Sequence, residues 1–197
     1  MADEPDGLRA LIGGDGGRSV SLEAFLLSLV RNVRQDGRPD ERNRRDVYVA
    51  ARKRRRRLGL AAFSAGPWVG VANRFADLYC ETAAVCDVAS LHDLELSDED
   101  IGAHMLVLWG ITEEHRAALL AMQGRPPVVE ILTRRLASHA SERLPERLTT
   151  RSAVKALWDA RDALGDARKG GGAIRTVAFT GHRTKKVIKK AEDQLGL

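Results

Sequence analysis

Residues 52 to 75 read RKRRRRLGLAAFSAGPWVGVANRF, and no other stretch restricts the fold as much. Arg52, Lys53, Arg54, Arg55, Arg56 and Arg57 are six consecutive cations, and sixteen uncharged residues, Leu58 to Asn73, follow without a break. Six successive helical positions sweep more than one full turn. The cationic part is therefore expected to offer no core-facing stripe and to stand in water or against a polyanion. The uncharged run is shorter than the ~20 apolar residues a membrane-spanning helix needs, and Gly59, Gly66, Pro67 and Gly70 interrupt it. It reads as a hairpin, either buried or interfacial. Ala61, Ala62, Ser64, Ala65, Gly66 and Gly70 are small enough to let two backbones approach closely. Trp68, beside the proline turn, suits either a core or a headgroup boundary.

The rest of the chain is helical in pattern. Leu22, Phe25, Leu26, Leu29, Val30 and Val33 recur at three- and four-residue spacing, predicting an amphipathic helix that starts near Ser19 or Ser21. Gly37 and Pro39 mark a turn, and a second helix is expected from about Asp40 towards Ala65. A third is expected from Pro67 to about Leu91. Ser97 with Asp100 three residues later makes a capping-box start for a helix carrying Ile101, Met105, Leu108 and Trp109. Thr112 is expected to cap the helix after it. Further helices are predicted over about Pro127 to Glu142, Thr150 to Arg168 and Ala173 to Leu195. No stretch alternates with period two. The expected fold is all-α, a single-domain bundle of about eight helices over residues 19–197, with residues 1–18 a flexible Gly-rich arm.

Charge is unevenly placed. Glu41 to Arg57 carries nine bases against two acids, Arg74 to Asp100 one base against eight acids, and Arg168 to Lys190 eight bases and no acid. Two basic segments thus flank an acidic one, and the three could neutralise one another within the fold. In the last helix, Arg183, Lys185, Lys186, Lys189 and Lys190 spread over the face opposite Ile188, Ala191 and Leu195. A polybasic stretch beside an apolar run suits an anionic leaflet, which attracts each nearby base by about 1 kcal/mol. Nucleic acid would be served by the same electrostatics. A reader of bases is missing, however: no zinc-finger spacing, no aromatic platform and no leucine heptad after the basic run.

Residues for catalysis or metal binding do not stand out. His92, His104, His115, His139 and His182 form no i, i+4 pair and no HExxH motif. Cys80 and Cys86 are six apart, on different faces of a helix, and fit neither a metal knuckle nor a redox pair. The glycines of RKGGGAIR follow no strand and lack the Gly-Lys-Ser ending of a phosphate loop. Ser64 in FSAG lacks the flanking glycine of a nucleophile elbow. We therefore expect no enzyme, no metal and no cofactor. The opening residues carry acids and glycines where an export signal has a basic start and an apolar stretch, so a cytoplasmic protein is expected.

The stretch LAAFSAGPWVGVANRFADLYCETAAVCDVASLHDLELSDEDIGAHMLVLWGI resembles the central part of EcsC-family proteins. Both have a small-residue apolar run, a Gly-Pro turn, a helix with a tyrosine, and a capped LSDE helix ending near glycine. The late segment AFTGHRTKKVIKKAE is similar to that family's last helix. The matching positions are Gly66, Pro67, Ser97, Asp98, Glu99, Gly110, Phe179, Thr180 and His182, within about a third of the chain. The resemblance implies a bacterial helical protein at the cytoplasmic face of a membrane or with transport machinery, without established catalytic residues. Where the family tends to carry a second Gly/Ala-rich apolar stretch, this chain has only KGGGAIRTVAF, which favours a soluble or peripheral variant.

The candidate binding surface is accordingly Arg52 to Arg57, Trp68, Arg183, Lys185, Lys186, Lys189 and Lys190. The expected partner is an anionic membrane surface or a membrane-bound protein on the inner face of the plasma membrane. Nucleic acid, or a soluble protein partner, is the alternative.

Overall fold

A computed structural model describes residues 19–36, 43–63, 69–136, 148–149, 152–159 and 180–197. The expected arm lies outside them, as do Gly66, Pro67 and Trp68. The described residues hold eight helices and are all-α in class: α1 (Leu22–Gln35), α2 (Arg44–Phe63), α3 (Val69–Leu91), α4 (Asp98–Leu108), α5 (His115–Met122), α6 (Val128–Leu136), α7 (152–159) and α8 (Thr180–Leu195). One small element was not foreseen. Ser19–Val20 (β1) pairs antiparallel with Leu148–Thr149 (β2), too short to disturb the period of either segment.

The first helix forms as its stripe predicts. Ser21 caps it by accepting from Ala24 N–H, and Leu22, Phe25, Leu26, Leu29, Val30 and Val33 are all buried. Its polar side organises two neighbours. Arg31 and Arg34 both reach Asp98 in the first turn of α4, at 3.2 and 2.6 Å. The Glu23 carboxylate accepts from the Val128 N–H at 2.5 Å, answering an orphan donor at the start of α6.

Helix α3 is the axis of the bundle. Residues 81 to 89 are buried without interruption, so this helix is covered on every side, by α1, α2, α4 and α8. The core is continuous from Leu22 in α1 to Ala191 in α8. Such all-round burial traps polar groups, and each needs a partner. Glu81 accepts from Trp109 Nε1 at 2.8 Å, Thr82 donates to the Leu78 carbonyl at 2.9 Å, and the Tyr79 hydroxyl donates to Asp36 at the end of α1.

The capping box of α4 is present as expected. Asp100 N–H donates to Ser97 Oγ at 3.0 Å and Ser97 N–H to the Asp100 carboxylate at 3.2 Å. Gly102 inside this helix faces α5: a Cβ there would lie 2.7 Å from Met122 Cε, the flexible end of a side chain that would have to shift to admit it. Gly110, with φ of 75°, closes the helix in the left-handed region. Thr112 does not cap α5. That helix starts three residues later behind Glu114, which makes no side-chain cap bond, and Thr112 Oγ1 is buried without a hydrogen-bond partner.

Candidate basic interface on α2 and α8

The cationic run divides by helical phase. Val47, Ala51, Leu58 and Ala62 form the buried stripe of α2, and at about 100° per residue Arg54 and Arg55 fall on either flank of it. Each meets an acid of α3. Arg54 Nη1 lies 2.8 Å from Asp87 Oδ2, with the two side chains 18% and 1% exposed. Arg55 Nη2 lies 2.6 Å from Asp77 Oδ1. This corrects the expectation that the whole run stands in water or against a polyanion. A six-residue run leaves no apolar face, but long guanidinium stems cover core flanks and deliver their charge to carboxylates already inside.

These pairs set the local electrostatics. Burial works against the charge on Arg54, yet the adjacent Asp87 carboxylate outweighs it and its pKa stands above the ordinary value. Cys80 lies in the field of Arg55 and Arg54, which favour a thiolate, but burial prevails and pushes its thiol up to about 12. Neither Cys80 nor Cys86 forms a disulfide, and a thiol raised in this way stays protonated at neutral pH.

The other four cations point outwards. Arg52, Lys53, Arg56 and Arg57 are exposed and form no ion pair with a described residue. Two apolar residues share their face. Val49 is 40% exposed and Leu60 64% exposed, and Val49, Lys53, Arg56 and Leu60 follow one another at helical spacing along a single outward line.

Helix α8 carries further exposed bases. It packs beside α2, with Arg44 2.6 Å from Glu192 and the Lys185 ammonium 5.5 Å from the centre of the Tyr48 ring. Ile188 and Ala191 face the core, leaving Lys185, Lys186 and Lys189 exposed. Lys190 is used differently. Its ammonium donates to the carbonyl of Leu108, satisfying the end of α4. Arg183 belongs to the backbone of α8, but its side chain lies outside the described residues, as does all of Trp68.

One cluster was invisible in the sequence. The rings of His104 and His115 pack at 35° to one another with centroids 4.1 Å apart across the α4–α5 turn, although eleven residues within one continuous helix would separate them by about 16 Å along the axis. Burial, and next the neighbouring His115, push His104 down to about 4, against the pull of Asp100. The pair is a neutral stack at physiological pH on the His104 side. Among the described residues no group of three or more His, Cys, Asp or Glu is arranged to hold a metal ion.

Among the described residues no helix is long and apolar enough to cross a membrane. Compared with protein-family models, with curated proteins and with solved structures, the chain matches none.

Proposed function

We propose that this chain is a non-enzymatic helical protein that docks peripherally on an anionic membrane surface, at the cytoplasmic face. The observation that carries the reading is the outward face of α2: four exposed cations interleaved with exposed Val49 and Leu60, beside three exposed lysines of α8. Phosphate headgroups answer the bases, and the acyl boundary beneath them answers the apolar residues. A nucleic-acid backbone would answer only the first. The resemblance to EcsC-family proteins supports the same reading.

Arg54 and Arg55 are not part of that surface, which decides the test. In co-sedimentation with vesicles containing phosphatidylserine, changing Arg52, Lys53, Arg56 and Arg57 together to Gln is expected to weaken partitioning about 100-fold or more, at roughly 1 kcal/mol for each base. Neutral vesicles should bind both forms far more weakly than anionic vesicles bind the natural chain. Equal binding of both forms, or binding to duplex DNA without binding to vesicles, overturns the proposal.

A second reading has an observation of its own. The Arg54–Asp87 and Arg55–Asp77 pairs show the acidic segment neutralising part of the basic one, as a soluble protein-interaction module would have it. Absence of any vesicle binding would favour that reading.

A further inference from the structure

Bases alone would hold such a protein at the headgroups, and the geometry of α2 points to more than that. We propose that Leu60 is an apolar anchor that passes below the phosphates of an anionic bilayer, with Arg56 and Arg57 one turn before it at phosphate level. This rests on the membrane reading given above. Leu60 is the most exposed of the large apolar side chains among the described residues, at 64%, although the same helix buries Leu58 and Ala62 on its other side.

Its surroundings support the role. Leu60 lies in the last turn of α2, and Val49 lies on the same line about 16 Å back along the axis at 1.5 Å per residue. The neighbouring glycines are uncovered as well. A Cβ on Gly59 or on Gly70, at the start of α3, would meet nothing within 4 Å. Among the described residues, the last turn of α2 therefore presents an exposed leucine bordered by cations, which is the order of groups met on entering an anionic leaflet. An acidic protein surface would match the charge alone, whereas a bilayer takes up the exposed leucine as well.

The test separates this claim from the one beneath it. A polarity-sensitive fluorophore is attached to an introduced thiol in L60C and, as a remote control, in Q123C at the exposed end of α5. Both are made in a C80S/C86A background, so that no native thiol competes for label. On adding phosphatidylserine vesicles, the label at 60 should shift to the blue and brighten while that at 123 does not. L60A, with an unchanged circular dichroism spectrum, should partition roughly tenfold more weakly and keep the slope of its salt dependence, because burial of the exposed part of one leucine is lost and no charge is removed. Co-sedimentation without any shift at 60, or with L60A binding as tightly as the natural chain, overturns the anchor and leaves surface docking standing. No co-sedimentation overturns both.

Discussion

Replacing Asp87 by alanine puts the division of the cationic run to a thermodynamic test. Its carboxylate is 1% exposed and holds the Arg54 guanidinium, itself 18% exposed, at 2.8 Å. Removing the acid leaves a cation in the protein flank with its main counter-charge gone, and breaking a buried pair in this way costs about 3–5 kcal/mol. Arg54 can swing its head partly towards water, so the lower end is expected, about 3 kcal/mol. For a chain of this length that is a fall in Tm of about 6–12 °C. Urea melts followed by circular dichroism provide the assay, with Asp87→Asn intermediate because it keeps the acceptor and loses the charge. Arg52→Ala, on the same helix but outward, should stay within about 0.5 kcal/mol of the natural chain. Replacing both partners by apolar residues, R54M with D87L, should recover most of the loss. A cost below about 1 kcal/mol for Asp87→Ala, or an equal cost for Arg52→Ala, would refute the claim that helical phase assigns these arginines different roles.

Two further predictions concern α4. His104 in the fold takes a proton only near pH 4 whereas in the unfolded chain it does so near 6.5, so the unfolded state binds more protons between those values and stability should fall as pH drops through that window, by up to about 3 kcal/mol. His104→Phe keeps a ring against His115 and should flatten the urea midpoint between pH 6.5 and 4; an unchanged profile would show that another group is responsible. Ser97→Ala removes the cap that holds Asp100 N–H and should cost about 1 kcal/mol in the same melts, with Ser97→Asp restoring most of it.

Local signals read well where one element settles its own fate. The stripe of α1 and the Ser97 box need only residues within one helix, and both appear at the positions their spacing predicts. Thr112 failed as a cap because the chain crosses Gly110 in the left-handed region and runs three residues further before α5 begins, which a cap signal by itself does not encode. The His104–His115 stack and the Glu23 cap of α6 join residues from different helices, so no periodicity announces them. The cationic run was half legible. Its charge was plain, but which of six neighbours turn inwards depends on the buried stripe of α2 and on acids placed 33 and 22 residues later, at Asp87 and Asp77.

That dependence bears on function more than on stability. A surface read as six cations would be a strong electrostatic clamp, equally suited to phosphate on a lipid or on a nucleic acid. Once two of the six are pinned to α3, the outward face is a mixed one, in which Val49 and Leu60 stand among the remaining bases. Charge attraction between exposed groups is screened within about 10 Å at 0.1 M salt, whereas burial of apolar surface is not weakened by salt. The two kinds of side chain on one helix face thus predict binding that weakens with salt to a residue that persists, and the persistent part belongs to the apolar side chains. A backbone of phosphates provides no such residue, because nothing on it takes up Leu60. The mixture of side chains, more than the number of bases, therefore sets the kind of surface this helix is suited to meet.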